Sequence, residues 1–313
     1  MVDSSSLIEK IALLDKVVIL HPDLIRALDG IKDCVNKTGS YRESVNCTLL
    51  GTGGTGKSTA SRIIISQMPS FVRDEKLCER TVVPVFYAEV PSPVTVKSLA
   101  ETMLRKLNDP NPSAGTTVSM TRRLCRLLAQ CETKLVLLDE FHHLLSLRKT
   151  NTRLNTRICN WVKGIVNETN VSFCLIGLPE FGDVLTRDSQ LARRFPRSFL
   201  LRPLTLDGGN LQSFFKEIFE KVIFFLNLSD FPDITDEIFL LRIYAATAGN
   251  PSFIMSLIKE AVFVGLRNGG NSVTENDFSI AWSYGIVTSA SLTFENPFTM
   301  TSVALVAKFR SIV

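Results

Sequence analysis

Gly51-Thr52-Gly53-Gly54-Thr55-Gly56-Lys57-Ser58 has Gly, four residues, Gly, Lys and Ser at the spacing of a P-loop. Glycines at these positions let the chain turn tightly and aim successive N–H groups inward, where no side chain blocks a polyphosphate. Lys57 has the reach for the β- and γ-phosphates, and the Ser58 hydroxyl suits a Mg²⁺ ligand. Thr59 opens the helix behind this cradle. A second chemistry-bearing stretch, Lys134-Leu135-Val136-Leu137-Leu138-Asp139-Glu140, is an apolar run that ends in two carboxylates. Downstream of a P-loop, Asp139 is placed to order the Mg²⁺ shell beside Ser58, and Glu140 to polarise an attacking water. Two acids after a strand also serve as a turn or a helix cap, and the P-loop upstream is what favours the catalytic reading.

Positioning these groups requires strands that end at them. Asn46 to Leu50 reads as a short buried strand and Thr59 to Met68 as a helix whose N-terminus faces the anion. Thr81 to Val90 reads as a second core strand, with Pro84 limiting where pairing begins, and Pro91-Ser92-Pro93 as a turn into a helix over 95–107. Asn108 to Thr117 is loop-like, Val118 to Cys131 helical, and 134–139 a strand. A helix over 152–168, a buried strand over 171–177 and short helices over 181–185 and 190–195 complete an alternation that predicts a parallel sheet covered by helices on both faces. Ligands on such a sheet bind at the carboxyl ends of the strands, where the P-loop, Asp139 and Gly177 fall.

From about Leu206 the pattern is helical only, over 211–226, 233–248, 251–267 and 275–284, with Thr274 and Asp277 as an N-cap box. The fold class is therefore α/β, a P-loop NTPase domain with a small C-terminal helical lid. The expected divisions are an N-terminal helical extension over 1–45, the nucleotide-binding domain over 46–205, the lid over 206–285 and a tail over 286–313. Ahead of the core, Ile8 to Leu14 is amphipathic and His21-Pro22 opens a helix from Asp23 to about Asn36. The tail ends in an apolar run with Lys308 and Arg310 after it.

Composition excludes several classes. At 45% hydrophobic residues over 313 positions the chain can bury a large core, and no apolar run is long enough to span a membrane. With no signal-peptide pattern at the N-terminus, a cytoplasmic protein without a membrane partner is expected. Seven cysteines, odd in number and without a C-x-x-C pair, indicate neither a zinc framework nor disulfides, and read as small buried hydrophobes. The net charge of +4 is modest, but from His142 to Arg202 ten Lys/Arg face four Asp/Glu, whereas from Pro203 onward seven face eleven. The central part is thus suited to phosphates, or carries a solvated charged face. His142 and His143 are read as structural or switch-coupling residues, since neighbours in sequence point to different helix faces and no third metal ligand is evident. Trp161 and Trp282 read as packing residues, and His21 as the residue ahead of a helix.

An ATP site followed by a helical lid resembles the AAA+ ATPases, and finer features resemble the TniB/TnsC family of transposition regulators. Leu137 to Leu145 looks like that family's Walker B segment, with Asp139, Glu140, His142 and two leucines. Asn167-Glu168, Ile176-Gly177 and the block Arg187-Asp188-Ser189-Gln190-Leu191-Ala192-Arg193-Arg194-Phe195 look like its following segments. The resemblance implies ATP and Mg²⁺ as cofactors, self-assembly as a ring or helical filament on duplex DNA, recruitment of a DDE transposase (TnsB/TniA-like) and contact with a TniQ-like targeting protein. ATP sites of this class lie between subunits, and a neighbour's arginine stabilises the γ-phosphate. Arg194 is the first candidate, with Arg193, Arg187 and Arg197 as rivals, and a surface ion pair is the plain alternative for each.

Sequence-independent DNA contact calls for Lys/Arg and helix N-termini aimed at phosphates. Lys97 fits, in a position where related regulators present a DNA-facing lysine, followed by Thr116, Thr117, Arg122 and Arg123. Two departures bear on rate: Gly177-Leu178 lacks a polar sensor after its strand, and the lid segment Ala248 to Phe253 lacks an arginine. Slow hydrolysis, with ATP as an assembly switch, is the expectation. The competing readings are a helicase-loader or initiator-like AAA+ ATPase, and a signalling NTPase that binds no DNA.

Overall fold

In the computed structural model, residues 4–75, 78–148, 151–154, 156–206, 209–267, 269–287 and 289–309 are described. Arg310 and the side chain of Cys78 lie outside them. The chain forms two compact units, one of Asp23–Leu201 and one that joins the segment up to Pro22 with the segment from Arg202.

Along the chain, α1 (Ser4–Ala12) and α2 (Pro22–Thr38) precede β1 (Cys47–Gly51), α3 (Lys57–Gln67), β2 (Phe71–Glu75), β3 (Cys78–Val82), β4 (Val85–Glu89), α4 (Val96–Lys106) and α5 (Thr117–Gln130). Next come β5 (Leu135–Asp139), β6 (Leu145–Arg148), β7 (Asn151–Leu154), α6 (Thr156–Thr169), β8 (Ser172–Gly177), α7 (Pro179–Arg187), α8 (Ser189–Arg194) and β9 (Arg197–Leu201). Then follow α9 (Asn210–Leu226), α10 (Glu237–Thr247), α11 (Pro251–Leu266), α12 (Glu275–Ser283) and α13 (Ser302–Phe309).

Five strands form a parallel sheet in the order β4-β5-β8-β1-β9. All residues of β1, β5 and β8 are buried, as expected where helices cover both faces. The period of two splits them between two cores. Val136, Leu138, Phe173 and Leu175 pack with α4, α5 and α6, while Leu135, Leu137, Cys174 and Ile176 pack with α2 and α3. The edge strand β9 alternates half-buried with exposed positions and ends in buried Leu201.

Three local expectations are revised. The strand expected over 81–90 is two strands, because the Pro84 carbonyl accepts from the N–H groups of Lys134 and Leu135 while β3 turns back on β2 as a hairpin. That hairpin is rich in charge, and Arg73 on β2 pairs with Glu132, in the turn after α5, at 2.5 Å. The helix expected from Thr152 starts at Thr156, since 151–154 is the second strand of an antiparallel ribbon with β6. β9 was not among the expected strands.

The helical unit has its own core around Phe215, Phe219, Phe239 and Phe278, to which Leu7, Ile11 and Leu14 contribute. Its N-cap box at Thr274 and Asp277 forms as expected, with the Thr274 N–H donating to Asp277 at 2.8 Å. Among the described residues no helix is long and apolar enough to cross a membrane.

Candidate nucleotide site

The P-loop leaves the buried end of β1 and closes on itself before α3 begins. Gly51 has no room for a side chain: a Cβ there would lie 2.4 Å from the Thr55 hydroxyl and 2.9 Å from the Leu201 carbonyl. Thr55, fully buried, donates its hydroxyl to the Thr52 carbonyl at 2.9 Å and braces the turn. Gly56 is the N-cap of α3 at φ 104°, a conformation glycine adopts without strain. No side chain caps that helix start, and a Cβ on Gly53 or Gly56 would meet nothing within 4 Å. The concave side of the loop is therefore open and lined by backbone, which fits a polyphosphate at a helix N-terminus. Ser58 and Thr59 lie on the first turn, Ser58 exposed and Thr59 half-buried.

Lys57 folds back over this loop and donates to the carbonyls of Gly51 at 2.7 Å and Thr52 at 2.9 Å. Burial pulls its ammonium below the ordinary lysine range, against the opposing fields of Asp139 and Glu140. The P-loop lysine thus lies within the electrostatic reach of both carboxylates of the β5 end.

Asp139 is 4% exposed, and both of its carboxylate oxygens are engaged. One accepts the Glu140 N–H at 2.7 Å and the other the Tyr87 hydroxyl at 2.9 Å. Burial, and then the Asp139 carboxylate, push the Tyr87 phenol well above its usual value, so it stays a donor. Sequence reasoning passed over Tyr87. Its signal was its place on β4, two residues before Glu89, which pairs in register with Asp139.

Glu140 sits at φ 57°, rare for a residue with a side chain and a mark of stored strain. The turn it makes carries the chain into a 3-10 helix, Phe141–Leu144, anchored by buried Phe141 and Leu144. This corrects the reading of the two histidines. They do not diverge: their ring centroids are 4.8 Å apart, and the Nε2 atoms of His142 and His143 lie 3.1 and 3.8 Å from one Glu140 oxygen. Burial lowers the His142 pKa, with Glu140 opposing. His143 reaches the Val90 carbonyl through Nδ1 at 3.1 Å. Gly177, at the end of β8, lies against this turn, since a Cβ there would come 3.3 Å from the His142 nitrogen.

Of the candidate arginines, Arg197 opens β9 beside Cys47 at the amino end of the sheet, with Arg194 just before it. Arg194 pairs with Glu43 at 2.8 Å and is 22% exposed, whereas Arg193 is 75% exposed and only 4.0 Å from the same acid. Arg197 is bound to Asp33 at 2.6 Å, and Arg187 is exposed. Buried Asn46, also missed from sequence, donates to the Arg194 carbonyl and to Ser44, and accepts the Phe173 N–H. It ties the start of β1 to β8 and to the end of α8.

The candidate DNA residues fall at two helix starts. Thr95 caps α4 in a box with Ser98, leaving Lys97 exposed in the first turn with no ion pair among the described residues. Thr116 caps α5 by accepting the Ser119 N–H, Thr117 follows, and Arg122 is exposed. α4 starts beyond the carboxyl end of β4, while α5 ends where the Cys131 carbonyl accepts the Val83 N–H just before β4. The α4 N-terminus, separated from β4 by six residues, therefore lies toward the edge that carries the P-loop, and α5 finishes at the amino edge of the sheet. Arg123 differs from its neighbours. It holds Asp109 at 3.0 Å and donates to the carbonyls of Asn111 and Ala114, organising the loop before α5.

This sheet order, P-loop and acidic strand end, with a helical C-terminal unit, define an AAA+ fold. Solved structures agree: the ORC1 protein of Aeropyrum pernix in complex with DNA superposes with a TM-score of 0.59 at 16% identity, over 85% of this chain and 66% of that one. The ORC2 protein of the same organism, as ADPNP-ADP complexes, gives 0.58 at 13% identity over 82% and 66%. Cdc6p of Pyrobaculum aerophilum gives 0.59 at 14% identity over 84% and 67%. The chain spans about two thirds of the length of these proteins. A family profile described as bacterial TniB protein matches residues 10–203, and the chain belongs to the TniB family. No curated protein sequence matches it.

Proposed function

We propose that this protein is an ATP- and Mg²⁺-dependent switch that assembles on duplex DNA, links a TniQ-like targeting protein to a DDE transposase, and comes apart when ATP is hydrolysed. The observation that carries the reading is the open, backbone-lined P-loop electrostatically joined to Asp139 and Glu140 in a TniB-family chain. In this reading Lys57 leaves the Gly51 and Thr52 carbonyls for the β- and γ-phosphates. Ser58 and Asp139 would hold Mg²⁺, which would supply charge neutralisation for the phosphates. Tyr87 keeps the Asp139 carboxylate oriented. Glu140 takes the proton of the attacking water once its carboxylate leaves His142. The neighbouring subunit supplies Arg194 or the more exposed Arg193 to the γ-phosphate.

Lys97, Thr116, Thr117 and Arg122, at the starts of two helices, meet the DNA backbone, and Arg123 shapes the Thr116 turn. Lacking a polar residue at Leu178, hydrolysis is slow, and the nucleotide acts chiefly by holding the assembly together. Electron microscopy of the protein with duplex DNA and a non-hydrolysable ATP analogue tests this. Rings or filaments that require both ligands are expected, and particles unchanged by either would overturn it. The likeness to ORC1 favours a second reading, an initiator-like ATPase that handles replication DNA. Co-purification with a replicative helicase rather than a transposase would select it.

A further inference from the structure

The turn after β5 gathers three side chains that the nucleotide reading uses only in part. Glu140, His142 and His143 each offer a ligand atom, and these atoms lie within 4.8 Å of one another. Two histidines and a carboxylate with open positions are a donor set for a borderline-soft divalent cation such as Zn²⁺, whereas Mg²⁺ prefers oxygen ligands alone.

Two details indicate more than proximity. The Val90 carbonyl can only accept, so in the neutral His143 ring Nδ1 carries the proton and Nε2 turns a lone pair toward Glu140. An Nδ1–H on a backbone carbonyl is the usual second-shell support of a histidine that ligates through Nε2. Without a cation, that lone pair faces a carboxylate oxygen 3.8 Å away, a contact that holds no hydrogen bond. His142 is the second detail. Its Nδ1 is buried with no hydrogen-bond partner, so nothing but Glu140 sets its tautomer, and when the ring proton resides on Nδ1 the Nε2 lone pair is free to bind a metal. The chelating atoms come from positions i, i+2 and i+3 of a turn whose shape is set by the positive φ of Glu140 and by buried Phe141 and Leu144.

We propose that Glu140, His142 and His143 form a site for Zn²⁺ or a like transition-metal ion, separate from the Mg²⁺ site at Ser58 and Asp139. The three protein ligands leave a fourth position for water. Because Glu140 is one of them, an occupied site withdraws the carboxylate from water activation, a consequence that rests on the role proposed for Glu140 above.

The test titrates the metal-freed full chain with Co²⁺ and Zn²⁺ in excess Mg²⁺, reading visible d–d absorption for Co²⁺ and heat for Zn²⁺. One equivalent with tetrahedral or five-coordinate Co²⁺ bands is expected. His143→Ala and Glu140→Gln should each weaken binding at least about 10- to 100-fold, the loss typical of removing a second-shell partner. His143→Asn serves as well if the alanine variant fails to fold by circular dichroism. Binding of equal affinity in the folded His143 and Glu140 variants would overturn the site. ATP turnover of the parent protein, measured with and without Zn²⁺, separates the two claims. Inhibition reversed by a chelator supports both. Metal binding lost in the variants but without effect on parental turnover leaves the site standing and removes Glu140 from the water-activating role.

Discussion

Lys57 and Lys97 both sit in the first turn of a helix at the same edge of the sheet, yet they are held in opposite ways. Lys57 is half-buried, donates to two carbonyls and has its ammonium destabilised by burial. Lys97 is exposed and pairs with nothing among the described residues. A buried cation with a fixed place on a loop of N–H groups suits one ligand of defined shape, and exchange of two carbonyls for phosphates is favoured because the charge then finds a counter-charge. An exposed, strongly hydrated ammonium suits phosphates of any sequence, at an affinity that salt erodes. The two edges of function, one specific and one general, are thus legible in how each lysine is treated when no ligand is bound.

The largest effect should come from the buried member. Lys57→Ala should abolish ATP binding by calorimetry and, with it, DNA-dependent oligomers in analytical ultracentrifugation. Oligomers that persist would mean that Lys57 is a structural brace only. Glu140→Gln comes next, lowering steady-state ATP turnover by about 100-fold or more while DNA-bound assemblies outlast those of the parent. A variant that turns over normally would detach the β5 end from the chemistry. The smallest effect belongs to the exposed member. Lys97→Ala should weaken binding alike on unrelated duplexes and reduce the slope of log affinity against log salt by about 1. Arg123→Ala sharpens the contrast: loss of the Asp109 pair should destabilise the fold by about 1–3 kcal/mol in urea melts, with the salt slope unchanged. A fall in slope would return Arg123 to the DNA.

What could be read from the sequence followed from strong local patterns. Gly51 to Ser58, the β5 acids and the buried strands β1, β5 and β8 are continuous in the chain, and their apolar runs match a sheet covered on both faces. What escaped depends on distance or on weak patterns. β9 is half-exposed and short, so Arg197-Ser198-Phe199-Leu200-Leu201 carries no buried run, and only its register beside β1 makes it a strand. The β2–β3 hairpin is charged on both strands and merges in sequence with β4 across Pro84. The histidine pair misled because the i, i+1 divergence of an α-helix was assumed where a positive φ at Glu140 starts a 3-10 turn. Tyr87 and Asn46 lie 52 and 148 residues from the groups they hold, beyond any spacing rule.

Asn46 has a consequence of its own. One fully buried amide side chain bonds the Arg194 carbonyl, the neighbouring Ser44 carbonyl and the Phe173 N–H, so two segments far away in sequence share a single joint with the start of β1. The end of the arginine-bearing helix is therefore registered to the middle of the sheet and not to the surface around it. Substitution of exposed residues near Arg193 and Arg194 should leave the helix end in place. Substitution of Asn46 should not, because even aspartate in its place would turn two donated bonds into facing lone pairs.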